Sequence, residues 1–252
     1  MVSVIMPAFN AMATIESSID SVINQTYDDW ELLIVDDASS DETVKMIRAA
    51  RIKDKRIRLF TNERNIGTAM SRNKAVLQAR GEYIAFLDSD DLWHKDKLVK
   101  QLEFMERMNA VVSYTGTAYI CEGKHSSFIL KAKLKTSYGD LLRHNIMSCS
   151  SVVMRRDIIL QHMFICGPHY EDYVAWLQIL KETEQAYGLD EPLLTYRVSS
   201  KSKSGNIVRA GLMNFRAYRQ VGYTRQQSLL LSMRYALYSV PKRIKIRMYT
   251  ER

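Results

Sequence analysis

Short runs of β-branched and other apolar residues recur along the first 120 positions, separated by stretches whose apolar residues return at helical spacing. The runs predict strands at Val2 to Met6, Glu31 to Val35, Ile57 to Phe60, Tyr83 to Leu87 and Val111 to Tyr119. Between them, Ile15, Ile19, Val22 and Ile23 predict one helix, Val44 and Ile47 a second, and Ala69, Ala75, Val76 and Ala79 a third. Leu98, Leu102 and Met105 supply a fourth. Strand and helix alternating in this way predict an α/β fold, a single mostly parallel central sheet flanked by helices.

From about residue 121 the pattern loosens. A strand is expected at Ser150 to Met154, a helix from near Glu171, and a Ser/Lys-rich loop from Ser199 to Ser204. In residues 206 to 249, Leu229, Leu230, Met233, Leu237 and Val240 stand among Arg225, Arg234, Lys242, Arg243, Lys245 and Arg247, which predicts a basic amphipathic helical tail. The expected division is a domain at 1–205, in halves at 1–95 and 96–205, followed by the tail at 206–252.

With 252 residues, 46% of them hydrophobic, the chain can bury a sizeable core. Its apolar runs, such as Tyr83 to Leu87 and Ser228 to Met233, are far shorter than the ~18 to 20 residues a membrane-spanning helix needs. The opening residues carry neither a basic n-region nor a small-residue cleavage site, so the expected location is the cytoplasm. Cys121, Cys149 and Cys166 are odd in number and lack a Cys-x-x-Cys pair, which predicts reduced, mostly buried thiols. The net charge of +8 is uneven: residues 205 to 252 hold ten Lys and Arg against one acidic residue, leaving the rest near neutral. A basic tail on a near-neutral body calls for an anionic partner, nucleic acid or membrane headgroups.

Open sheets of this type bind ligands at the carboxyl ends of their strands, so the loops after Met6, Val35 and Leu87 are where chemistry is expected. Asp88-Ser89-Asp90-Asp91 crowds three carboxylates into four residues after an apolar run. A hard divalent cation with oxygen ligands, bridging to phosphates, relieves that repulsion, and a solvated turn with a helix cap is the alternative. Asp36-Asp37 follows a second apolar run, where a carboxylate can accept from a ribose hydroxyl or a base N–H, while Asp41 suits a cap for the helix from Thr43. Gly67 opens a helix whose N-terminus can face an anion; Arg72, one turn on, either reaches a diphosphate or lies solvated on the surface.

Taken together, Val2 to Asn10, Asp36 to Asp41, Asn65 to Asn73 and Asp88 to Asp91 resemble, in order and spacing, the motifs of the family 2 glycosyltransferases, over roughly residues 1 to 205. The resemblance implies a GT-A fold and inverting transfer from a nucleotide-diphosphate sugar, with UDP the expected nucleotide and Mn²⁺ or Mg²⁺ the metal. By position, Asp37 would bind the nucleobase, Pro7, Phe9 and Asn10 would frame the nucleoside pocket, and Asp90 would hold the metal. Asp88 would lie near the ribose or the metal, with Ser89 beside it and Arg72 also in the donor site. His169 to Trp176 is similar to the family's acidic pair at a helix start, with Asp172 as catalytic base and Glu171 as the alternative; Trp176 would face the acceptor sugar or be buried.

Leu193 to Val198 and the loop after it look like the family's late Tyr-Arg strand and donor-covering loop. Ser199 stands where many relatives have His, which puts a metal ligand from that loop in question; Lys201 and Lys203 could offset diphosphate charge or be solvated. Similarity to bacterial surface-polysaccharide enzymes of the O-antigen, capsule or teichuronic acid type implies a glycan acceptor on a lipid carrier. The tail would then touch the inner face of the cell membrane, or else pack on its own domain or on a second subunit as a homodimer.

Other classes fit less well. For a nucleic-acid-binding protein the acidic clusters would repel phosphate, and no stacking-aromatic motif stands out. A nucleotidyltransferase would need a basic Gly-rich loop near the N-terminus, and a dehydrogenase Gly-x-Gly-x-x-Gly after the first strand. The spacing of His162, Cys166 and His169 matches no familiar zinc pattern.

Overall fold

All seven residues of β1 (Val2–Ala8) and of β2 (Trp30–Asp36) are buried, as expected of parallel strands covered on both faces. Alternation sends Ile5, Leu33, Val35, Ile84 and Phe86 into one core, and Val4, Met6, Leu32, Ile34 and Ala85 into the other. The computed structural model describes residues 1–121, 124–198 and 207–248.

The first half follows the predicted alternation: α1 (Ile15–Ile23), α2 (Thr43–Lys53), β3 (Ile57–Thr61), α3 (Thr68–Gln78), β4 (Tyr83–Phe86), β5 (Leu92–Trp93) and α4 (Lys97–Met108). After it come β6 (Val112–Cys121), β7 (Lys124–Leu130), β8 (Lys135–Ser137), α5 (Tyr138–Arg143), β9 (Val153–Arg155), α6 (Arg156–Gln161), α7 (Glu171–Thr183) and β10 (Gln185–Val198). The sheet order is β3-β2-β1-β4-β9-β6-β10-β5, with β7 paired to β6 and β8 to β10. The pairings of β1 with β2 and β4, of β2 with β3 and of β6 with β10 are parallel, and antiparallel pairings through β9, β5, β7 and β8 complete the second half.

Two expectations need correction. The strand foreseen at Ser150 to Met154 begins with a 3₁₀ turn at Cys149–Ser151, and only Val153–Arg155 pairs. The turn closes through Ser151 N–H to Ser148 O and frees the Ser150 hydroxyl to bond Asp88 N–H and Asp91. Cys149 is buried as expected, but Cys166, in the loop between α6 and α7, is exposed.

The segment after residue 206 forms α8 (Ile207–Gln220) and α9 (Arg225–Met248). Ala217, Tyr218 and Val221 belong to the same apolar core as the sheet. Tyr218 meets Tyr173 of α7 edge-on at 5.9 Å and donates its hydroxyl hydrogen to Leu142 O, while Lys181 of α7 donates to Val221 O. The predicted helical tail is therefore anchored through α8 directly on α7. Among the described residues, no helix is long and apolar enough to cross a membrane.

Candidate active site

Because β1 lies between β2 and β4 in parallel register, the loops that follow all three strands emerge side by side. Pro7 is buried within β1 beside Val35, and Phe9 beyond it is exposed. Asn10 takes a left-handed φ of 48°, which Asn tolerates better than most residues. Its N–H donates to Ser39 Oγ and its side-chain oxygen accepts from Ser40 N–H, joining the β1 and β2 loops. Asp41 accepts from Met12 N–H and from Thr43 N–H, which ties the start of α2 to the β1 loop, although the N-cap position falls on Glu42 rather than on Asp41 as expected.

Asp37 is almost fully buried and accepts three hydrogen bonds: from Asn62 Nδ2 at 2.8 Å, Ile66 N–H at 2.9 Å and Gly67 N–H at 2.8 Å. Gly67 has φ +88°, a conformation open to glycine, and it delivers the chain into α3. A carboxylate offers about four acceptor positions, so roughly one is left for a ligand. Replacing Asp37 with Ala would strand these donors, and a loss of about 2–3 kcal/mol is expected. An unchanged urea midpoint for Asp37→Ala would show that the 62–67 loop does not depend on this carboxylate.

The acidic loop after β4 is held from beneath. Asp88 N–H donates to Ser150 Oγ at 3.0 Å, and Ser150 Oγ donates to Asp91 Oδ2 at 2.6 Å. Asp91 also accepts from Arg197 N–H at 3.1 Å. Burial, then the Asp90 and Asp88 charges, push the Asp91 carboxyl well above its ordinary range, so Asp91 is a buried strut. Ser89 O accepts from Ser18 Oγ, which fastens the loop to α1. Asp90 is exposed in the same loop, and desolvation by the surrounding protein, followed by repulsion from Asp88, lifts it to about 6. Arg197 and Arg72 pull in the opposite direction. The late Tyr-Arg strand thus lands beside the acidic loop, while the loop with Ser199, Lys201 and Lys203 lies outside the described residues.

Across the cleft stands the head of α7. Arg72, buried on α3, donates through Nη2 to Asp88 Oδ1 at 2.5 Å and through Nη1 to Glu171 Oε1 at 3.2 Å. Its guanidinium lies 5.4 Å from the Phe164 ring centre, and Phe164 is fixed by two hydrogen bonds between its backbone and the Asn73 side chain. Arg72 is therefore neither a surface arginine nor unpaired: its charge joins the acidic loop to the acidic pair. Asp172 accepts from Tyr173 N–H, and burial, then the adjacent Glu171, raise its carboxyl to about 6. Arg72 works against that rise and Asp88 adds to it. Asp90 and Asp172 thus share the same charged neighbours, Asp88 and Arg72. Trp176 is fully buried against Phe86 and Phe164, so of its two sequence readings the core one holds. His162 pairs with Glu182, and His169 is buried just ahead of Glu171.

Sequence reasoning missed Ser150 and the strut roles of Asp91 and Arg197. Asp91 belongs to the Asp88 to Asp91 motif, where the crowding of carboxylates points to ligands and not to a buried support. Ser150 lies in the Ser-rich stretch Ser148-Cys149-Ser150-Ser151, which carries no local sign of its partners.

The glycosyl transferase family 2 profile matches residues 3–161. A Bacillus subtilis protein named as a teichuronic acid biosynthesis glycosyltransferase, TuaG, is 38% identical over 222 residues, covering 88% of each chain. An Escherichia coli protein named UDP-Glc:alpha-D-GlcNAc-diphosphoundecaprenol beta-1,3-glucosyltransferase WfgD is 40% identical over 209 residues, 82% of this chain and 80% of its own. In fold, the chain is similar to the mannosyltransferase PcManGT of Pyrobaculum calidifontis, solved with GDP-Man and Mn²⁺. The TM-score is 0.71 at 18% identity, over 96% of this chain and 71% of that one. The sheet order, the acidic loop at the end of β4 and the profile match agree, and the chain belongs to glycosyl transferase family 2.

Proposed function

We propose that the chain transfers a sugar from a UDP-sugar to a hydroxyl of a lipid-linked glycan in bacterial surface-polysaccharide assembly, inverting the anomeric carbon. The observation that carries this reading is the junction of two acidic clusters, Asp88 with Asp90 and Glu171 with Asp172, across one buried arginine. The names of the similar proteins support the donor and acceptor classes. In this reading residues 1–95 bind the donor, residues 96–205 receive the acceptor, and the protein works in the cytoplasm at the inner face of the membrane.

An acceptor hydroxyl ionises far above neutral pH, so a carboxylate must take its proton as the oxygen attacks. Asp172, raised to about 6, is deprotonated at neutral pH yet a stronger base than an ordinary aspartate. Asp37 and the loops of Pro7, Phe9 and Asn10 frame the nucleoside pocket. Ser89 keeps the acidic loop seated on α1 through its backbone.

Among the described residues, no three His, Cys, Asp or Glu side chains converge to cage an ion unaided. Asp88 and Asp90 nonetheless suit one: both are hard oxygen donors, and their mutual repulsion, which adds to desolvation in lifting Asp90, is what a cation would offset. Mn²⁺ or Mg²⁺ held by them would stabilise the charge developing on the departing diphosphate. Asp90→Ala should weaken metal-dependent donor binding by roughly 100-fold, as read by calorimetry with and without metal. Equal affinity of the variant and the parent in metal would remove Asp90 from the site. A panel of nucleotide sugars, assayed for metal-dependent hydrolysis, tests the overall reading.

A further inference from the structure

Helix α9 has two opposite faces, and the outward one is apolar. Ser228 and Ile246 are buried, and Leu231 and Tyr235 pack against the core formed with α7 and α8. On the far side, Leu230 is 69% exposed, Met233 62%, Leu237 75% and Ile244 52%. At about 100° per residue these four fall within about 60° of one another, diametrically opposite Ser228 and Ile246. Leu229 and Tyr238 are also exposed, so the face is broad. Arg234 and Lys245, both exposed, flank it on one side and Arg225 on the other.

We infer that this outward face of α9 seats the protein on an anionic lipid surface, with Leu230, Met233, Leu237 and Ile244 entering the headgroup layer. The charge decides between occupants. Residues 205 to 252 sum to +9, so two copies meeting face to face would bring like charges together, whereas anionic headgroups complement them. An amphipathic helix with a basic margin is the form that lies in a membrane interface without crossing it. Because α8 fixes α9 to α7, whose first turn holds Asp172, the docked helix would set the height and tilt of the cleft above the bilayer. The inference rests on the lipid-linked acceptor only for its purpose, since the face itself is independent of the donor chemistry.

The test is flotation of the full chain with vesicles of phosphatidylglycerol mixed into phosphatidylcholine, and with phosphatidylcholine alone, in the absence of acceptor. The parent should float with the anionic vesicles only, and Leu230→Asp/Leu237→Asp should reduce the bound fraction at least tenfold. Donor hydrolysis in solution should stay unchanged in that variant, because both positions are exposed and distant in sequence from the cleft residues. A parent that does not float, or a variant that floats equally well, overturns the docking face. So does a parent that is dimeric in light scattering while the variant is monomeric, which would give the face to a second copy. Failure of donor hydrolysis in the parent would instead count against the glycosyltransferase reading and leave the flotation result standing.

Discussion

Asp172→Asn is expected to cut kcat by roughly 10²- to 10⁴-fold, the range lost when a positioned general base is removed, with little change in donor affinity. The parent supplies the reason in its electrostatics. Burial and Glu171 raise the Asp172 carboxyl from 3.8 to about 6, so below that pH the base is protonated and kcat/KM should fall about tenfold per pH unit. The same shift has a stability consequence of defined sign. A carboxyl whose folded pKa exceeds its unfolded value stabilises the fold below about pH 4, and that contribution is lost as the pH rises through about 6. At neutral pH the fold therefore carries a penalty of about 2–3 kcal/mol for keeping Asp172 ionised. Asparagine can still accept from Tyr173 N–H and carries no charge, so Asp172→Asn should melt roughly 5 °C higher while being nearly inactive. Loss of activity with an unchanged or lower melting point would mean that the residue supports the fold more than the chemistry. If Glu171→Gln gave the larger loss of kcat and Asp172→Asn retained turnover, the base would be Glu171.

How much of the structure is legible in the sequence depends on the range of the interaction concerned. The strands at Val2 to Met6 and Glu31 to Val35 were legible because buried parallel strands need unbroken apolar runs, a local property. The tie from Asp41 to the start of α2 is legible for the same reason, since its partner Thr43 is two residues away, although the cap position itself falls on Glu42. Arg72 was not: its second partner, Glu171, lies 99 residues along the chain, and nothing beside Arg72 announces it. Nor was Ser150, which reaches Asp91 59 residues away and breaks the predicted strand to do so. The family pattern placed Asp88, Asp90 and Asp172 in one site, but it carried no information on what joins them. The tail shows the same division. Its basic and apolar composition was plain, whereas the choice of Ser228 and Tyr235 for the inner face, with Leu230 and Leu237 left outside, emerges only from packing on the domain, where Tyr235 meets His144 and Tyr173.

Arg72→Met should have the second large effect, on folding and on pH dependence together. Methionine conserves much of the volume beside Phe164 but leaves Asp88 and Glu171 without the cation they share. Truncating one member of a buried ionic group costs about 3–5 kcal/mol, because the remaining charges lose the cation that offsets their desolvation. For a chain of this size that corresponds to a fall in melting temperature of roughly 10 °C. A purely structural role would end there. Arg72, however, also holds the Asp172 carboxyl down against burial and against Glu171 and Asp88. Removing it should move the acidic limb of the activity profile upward from about 6, so that the variant recovers part of its activity as the pH is raised. Arg72→Lys keeps the charge and should leave the limb near 6, but one ammonium on a flexible stem cannot reproduce the fork that reaches both carboxylates, so kcat should still fall. A destabilised Arg72→Met whose pH profile coincided with the parent's would reduce Arg72 to a packing element. A shifted limb in Met and an unshifted one in Lys would identify it as the group that sets the strength of the base from the donor side of the cleft.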